Sequence, residues 1–342
     1  MPGNSVTFTI ADPRGDLSGV RLYQEARIPG DRLDFRRRGD RWELVIDRPP
    51  VCRMEYLLEV RHGNGNTELI TDPANPLRAP GAFGTKSVRE FGCYATPAWL
   101  AMQAPVGDRR ELEFPAPSLG GTIPAMIWSP AGTPDTEPLP LLVVHDGPEY
   151  DSLASLLTFL SAGVSAGWLP RLRAALLGPG HRDRWYSANP VYARALRRVV
   201  HDELAPRLAT TARIGMGTSL GGLAMLHAHC RHPGTFGALF LQSGSFFTAA
   251  LDSQEKRFGH FARIVAFVAA VHAGHQPGRP VPVTLTCGGI EENVANNRLM
   301  AQTLRSHGYP AELHEVADLH NYTAWRDAFH PYLTDLLGRF CR

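Results

Sequence analysis

Gly217-Thr218-Ser219-Leu220-Gly221 is a G-x-S-x-G pentapeptide. Between a short apolar strand and a helix, such a pentapeptide makes a sharp turn that lifts the serine hydroxyl off the end of a sheet. Glycines flank the serine because a side chain there would meet neighbouring backbone. The first turn of the helix then offers N–H groups without intrahelical partners to a developing oxyanion. A serine hydroxyl attacks a carbonyl only when a histidine takes its proton, and an acid must orient that histidine. In the α/β-hydrolase arrangement the chain order is serine, acid, histidine, with acid and histidine on loops at the carboxyl ends of strands.

Two carboxylates stand where the acid is wanted. Glu291 and Glu292 follow the apolar run Val283 to Cys287, in Gly288-Gly289-Ile290-Glu291-Glu292-Asn293. Glu291 is the expected acid and Glu292 the reserve. The alternative is that both cap the next helix, where negative charge is favoured. His320 is the expected base: it follows the last strand-like run and precedes the last helix. The Leu220 N–H is the expected first oxyanion donor. The second comes from His145-Asp146-Gly147-Pro148, where Pro148 has no N–H and Gly147 is the choice. In that loop His145 and Asp146 read as a hydrogen-bonded pair that shapes the turn.

His181-Arg182-Asp183-Arg184-Trp185-Tyr186 follows another strand-like run. Arg182, Arg184 and Trp185 are suited to an anionic or catecholic substrate through charge and stacking. The alternative is an internal Arg182–Asp183 or Arg184–Glu network that buttresses the site. The chain has 14 histidines, so a lone one means little. His227 and His229 are two apart on a helix and face different ways, so no ligand pair is expected. The reading calls for no metal and no cofactor.

These residues need a frame. From Leu141 onward, apolar strand-like runs alternate with helical segments: Leu141 to Val144, Ser152 to Ala162, Leu172 to Leu177, Pro190 to Leu204, Ala212 to Met216, Leu220 to Cys230, and on to a closing helix over Tyr322 to Phe340. Such alternation means a doubly wound α/β sheet. Before it, Val6 to Ile10, Val20 to Leu22, Leu33 to Phe35, Trp42 to Ile46 and Met54 to Val60 are short strands between turn signals, which predicts a β-sandwich. Gly81 to Asp108 reads as a connector. The expected organisation is a β-sandwich with linker over 1–105 and an α/β-hydrolase catalytic domain over 106–342.

Composition narrows the rest. The 342 residues are 44% hydrophobic and 20% charged, as in a globular domain, and the net charge of +2 speaks against nucleic-acid or anionic-membrane partners. No apolar run approaches a membrane span, and the first ten residues lack a leader's apolar core, so the expected location is cytoplasmic. Five cysteines are scattered without C-x-x-C spacing and read as reduced thiols.

His145-Asp146-Gly147, the His181 loop, the Ser219 pentapeptide, Gln242-Ser243-Gly244-Ser245, Glu291-Glu292-Asn293, Asn297-Arg298 and His320 with Trp325-Arg326 together resemble the enterochelin-esterase branch of the esterase-D-like α/β hydrolases. The first part of the chain, with Asp72-Pro73-Ala74-Asn75-Pro76, is similar to the immunoglobulin-like early-set domain that precedes the hydrolase in that branch. The resemblance implies ester hydrolysis by Ser219 and His320, with Trp325 added to the substrate-binding set. It also implies a small-molecule ester substrate of the ferric catecholate siderophore type, opened at its trilactone. Members often carry His-Asp where this chain has His320-Asn321. A broad carboxyl, feruloyl or acetyl esterase is the alternative within the class. A glycan-binding protein on a hydrolase-like scaffold is the alternative outside it.

Overall fold

The computed structural model describes residues 5–275 and 278–341. By its internal contacts the chain forms two compact units. One comprises residues 1–95 with 288–292 and 316–324; the other comprises 96–287, 293–315 and 325–342.

In the first unit, alternating sequences produce strands with one buried face. β1 (Ser5–Ala11) buries Val6, Phe8 and Ile10, pairs with β4 (Arg41–Asp47), and β4 pairs in turn with β3 (Arg36–Arg38). The second sheet runs β2 (Leu17–Gln24), β5 (Arg53–His62), β8 (Lys86–Glu90) and β7 (Arg78–Ala79), with β6 (Thr67–Ile70) also on β5. Leu33 to Phe35, expected as a strand, contributes only an isolated bridge from Asp34 to Arg21. Part of the expected connector, β8, is instead a sheet strand. Val20, Leu22, Leu44, Met54, Leu58 and Val60 fill the core, and Leu319 from the segment 316–324 is buried among them.

Two of the five cysteines are not the reduced thiols expected. Cys52 and Cys93 form a disulfide, while Cys230, Cys287 and Cys341 are free. Pairing of Arg53 with Glu90 across β5 and β8 brings the two cysteines together, and the Phe91 N–H donates to the Cys52 carbonyl. They are 41 residues apart in the chain, so nothing in their local spacing announces the bond.

The second unit is built on an eight-stranded sheet. Its further strands are β9 (Asp108–Ala116), β10 (Gly121–Ser129), β11 (Leu139–Val144), β12 (Arg173–Leu177), β13 (Thr210–Thr218), β14 (Ala238–Gln242), β15 (Val283–Gly288) and β16 (Ala311–Val316), in the order β16-β15-β14-β13-β11-β12-β10-β9. β9 and β10 are antiparallel; the pairs from β12 through β11, β13 and β14 to β15 are parallel. Every residue of β11, β12, β14 and β15 is buried, as both faces of a parallel sheet require.

Two helices depart from expectation. The first is two helices, Gly147–Ala154 and Leu156–Ala166, parted at Ser155, whose φ is +53°. The closing helix is broken after Asp327: His330 is extended (φ −110°, ψ 124°) because the Pro331 ring disfavours helical backbone before it. No helix among the described residues is long and apolar enough to cross a membrane.

Candidate active site

β13 ends at Thr218 and the helix Leu220–Arg231 starts at once, leaving Ser219 as the single residue of the turn. It adopts φ +53° and ψ −124°, a strained conformation for a residue with a side chain. The backbone around it is fully engaged. The Ser219 N–H donates to the Gln242 carbonyl at 2.9 Å, and its carbonyl accepts from Leu223 and Ser245. A Cβ on Gly217 would stand 2.5 Å from the Gly221 carbonyl oxygen, so only glycine lets the helix start so close to the strand. The Ser219 Oγ lies 3.1 Å from the Ser245 Oγ. Ser245 is a contact of the serine that its residue type alone does not reveal; it arrives through Gln242-Ser243-Gly244-Ser245, the segment leaving β14.

That segment is itself fastened. The Gln242 amide donates to Thr286 Oγ1 and the Trp325 carbonyl and accepts from Tyr150 Oη at 2.8 Å. The Trp325 indole N–H donates to Ser243 Oγ at 3.0 Å, and the ring is buried. Trp325, expected to touch substrate, is thus part of the scaffold around the serine's neighbours.

The loop after β11 behaves as a preformed wall. His145 is buried; Nδ1 donates to the Gly221 carbonyl and Nε2 accepts from Tyr192 Oη, both at 2.9 Å. Burial pushes its imidazole down to about 4, so it stays neutral with one donor and one acceptor nitrogen. Asp146 is buried in the left-handed region at φ +50°, and its two oxygens take Arg182 Nε and Nη2, each at 2.8 Å. The expected His145–Asp146 pair does not form; each partners another element. Gly147 opens a helix, and a Cβ there would stand 2.5 Å from the Leu176 backbone. Its N–H and that of Leu220 both occupy first-turn helix positions, where the helix supplies no acceptor.

Arg182 makes a bidentate pair with Asp146, and its side chain keeps 34% exposure. The internal Arg182–Asp183 pairing weighed as an alternative is replaced by this longer-range one. Arg184 is exposed. Trp185 is buried against Tyr192, ring centroids 5.5 Å apart and nearly parallel, so the indole packs inside the protein. His227 and His229 are buried on their helix; burial first, then nearby arginines, pushes His227 down to about 3.

Glu291 and His320, the expected acid and base, lie in the first unit. Glu291 is fully buried, Oε1 stands 3.3 Å from His320 Nδ1, and Oε2 accepts the Gly288 N–H at 3.0 Å. Glu292 points to solvent. Burial works against the imidazolium of His320, but Glu291 beside it, then Glu25 and Glu292, outweigh that, and its pKa sits above the ordinary histidine value.

Both loops are anchored to the β-sandwich. Ala26 forms an antiparallel bridge to Glu291, the Arg27 N–H donates to the Ile290 carbonyl, and Arg27 Nη2 donates to the Glu292 carbonyl. On the histidine's loop the Cys52 N–H donates to the Ala317 carbonyl at 2.7 Å, and Thr323 Oγ1 donates to Glu55, itself paired with Arg53 at 2.8 Å. Asp318 is buried, accepts from the Leu319 N–H and Asn321 Nδ2, and is pushed up to about 7 by burial. Asn321 Oδ1 accepts the Ala324 N–H. The amide at 321 therefore acts on both sides, and its neutral group avoids placing a second carboxylate against Asp318.

A family model described as "Putative esterase" matches residues 116–336. The chain is 28% identical over 214 residues to the "Iron(III) enterobactin esterase" of Dickeya dadantii (strain 3937), covering 57% of this chain and 48% of that protein. It thus spans about half the length of the curated relative it matches. The crystal structure of the enterobactin esterase from Shigella flexneri in the presence of enterobactin matches with a TM-score of 0.75 at 20% identity, over 98% of this chain and 93% of that one. The ferric enterobactin esterase from Salmonella typhimurium matches with a TM-score of 0.76 at 19% identity, over 98% and 93%. At such identities the shared property is the fold, an α/β-hydrolase sheet preceded by smaller β-sheets.

Proposed function

Since the chain belongs to the putative esterase family, we propose that it is a serine esterase with Ser219 as nucleophile, His320 as base and Glu291 as the acid that orients it. The observation that carries this reading is the strained Ser219 held at a strand-to-helix turn. In the proposed reaction Ser219 Oγ attacks the ester carbonyl and His320 takes its proton. The N–H groups of Leu220 and Gly147 receive the oxyanion. The intermediate then expels the alcohol, which leaves with the proton from His320. Water, deprotonated by the same histidine, frees the acid from Ser219.

For the substrate we propose the ester bonds of a catecholate siderophore. The names of the Dickeya, Shigella and Salmonella relatives support this reading. The exposed Arg184 and the partly exposed Arg182 side chain are the proposed anion contacts. A second reading, a broad carboxylesterase, is favoured by the commitment of Arg182 to Asp146, which leaves less positive charge for an anionic substrate.

The test uses a fluorophosphonate probe and two substrates. Wild type is expected to be labelled and Ser219→Ala not, with kcat reduced about 10³-fold or more. Unlabelled wild type would overturn the enzyme reading and leave a glycan-binding scaffold. Preference for p-nitrophenyl acetate over a catecholate trilactone would select the second reading. The proposed compartment is the cytoplasm, although disulfides are rare there. Alkylation in fresh lysate would find Cys52 and Cys93 free in a reducing compartment and blocked in an oxidising one.

A further inference from the structure

The residue before the bridge to the acid loop is a carboxylate with an unusual environment. Glu25 follows β2, and its neighbour Ala26 is the residue bridged to Glu291. The turn is held by Gln24, whose side-chain nitrogen donates to the Ala26 carbonyl at 3.0 Å and whose oxygen accepts the Ala26 N–H. Glu25 Oε1 takes the Lys86 ammonium at 2.5 Å. Its Oε2 is buried and has no hydrogen-bond partner among the described residues. A buried carboxylate oxygen left without a donor is costly, and a sequence retains one at a price unless the charge is used.

The electrostatic neighbour is the histidine. Burial raises the Glu25 carboxyl; Lys86, and next His320, pull it back, while Glu55 adds to the rise. The interaction is mutual, since Glu25 favours the charged form of His320. The charged groups around the histidine come from several elements. Glu291 and Glu292 of the acid loop and Glu25 at the end of β2 act on the histidine; Lys86 from β8 and Glu55 from β5 act on Glu25, and Arg53 and Glu55 act on Asp318 of the histidine's own loop.

We propose that Glu25 is a positioning residue for His320: a second carboxylate, supplied by the β-sandwich and held by Lys86, that stabilises the imidazolium formed when the base takes its proton. The inference rests on the catalytic reading of His320. Glu291 contacts the ring and fixes its orientation; Glu25 acts on its charge. Lys86 keeps Glu25 ionised and in place. The sandwich thereby tunes the base as well as anchoring its loop.

The experiment reads His320 directly. Full-length protein labelled at histidine Cε1 is titrated by NMR, the His320 signal being the one missing in His320→Gln. Glu25→Gln keeps an acceptor for Lys86 while removing the charge. It is expected to lower the His320 midpoint by about half a pH unit or more. The double variant Glu25→Gln with Lys86→Gln, which leaves no unpaired ammonium, is expected to lower it too, and the acid limb of kcat/KM should follow. An unchanged midpoint in either folded variant overturns the proposal, as does lost activity with the midpoint fixed. Failure of both variants to fold would make the pair structural and overturn it as well. Because the titration needs no turnover, a protein without esterase activity still decides it.

Discussion

Glu291 and Glu292 are neighbours of one chemical type with opposite surroundings. Only Glu291 is buried with an oxygen 3.3 Å from His320 Nδ1. Glu291→Gln is therefore expected to lower kcat by roughly 10²- to 10⁴-fold, and Glu292→Gln to leave it within a few-fold; steady-state kinetics check both. A reversal would transfer the acid role to Glu292. The proposed base, His320, takes a proton only as neutral imidazole, and against burial Glu291, Glu25 and Glu292 hold its pKa above the ordinary value of about 6.5. Activity should therefore rise with pH through a midpoint above that value, and a kcat/KM profile with a lower midpoint would contradict it. The positions of Ser219, Glu291 and His320 at strand ends were readable because each follows a run that reads as a strand. The partners of Arg182 and Trp325 were not, because Asp146 is 36 residues and Ser243 82 residues away. Burial and pairing over such separations are decided by packing, which local spacing does not encode.

At the scale of elements, the parallel strands were legible from unbroken apolar runs such as Leu141 to Val144. The helix breaks at Ser155 and His330 were less so, since each depends on one residue's backbone inside an otherwise helical pattern. β8 was missed because Lys86 to Glu90 carries one apolar residue, Val88, and becomes a strand by pairing with β5. The histidine's loop offers a stability test. Asp318 is pushed up to about 7 by burial, against an unfolded value near 3.9. The folded state then holds a proton that the unfolded state has lost, so this group's contribution to stability falls as pH rises from about 4 to 7. Asp318→Asn keeps an acceptor for Leu319 and Asn321. It is expected to raise the melting temperature at pH 8 by several degrees and to flatten its decline above pH 5. Equal melting of both proteins at pH 8 would refute the assignment.

For the whole molecule, the Cys52–Cys93 disulfide closes a loop with a sequence separation of 41 residues in the β-sandwich. Replacing both cysteines by serine is expected to cost about 2–4 kcal/mol of that unit's stability. Calorimetry should show the same loss when reductant is added to wild type. Activity should fall alongside, since the Cys52 N–H holds the Ala317 carbonyl on the histidine's loop. That the chain contains a sandwich and a doubly wound sheet was plain from its change of hydrophobic pattern near Leu141. That two short segments of the later chain would pack with the sandwich was not, because β15 and β16 announce their own sheet and not the destination of the loops that leave them.

The grouping of 288–292 and 316–324 with residues 1–95 bears on how such a protein can change over generations. A sandwich exchanged by recombination would arrive without Ala26, Arg27 and Cys52 in register for the incoming loops. The two loops would then lose their docking partners although no residue of the hydrolase sheet had altered. The front of the chain is therefore bound to two distant stretches of loop sequence, and substitutions in one should be tolerated only alongside matched substitutions in the other.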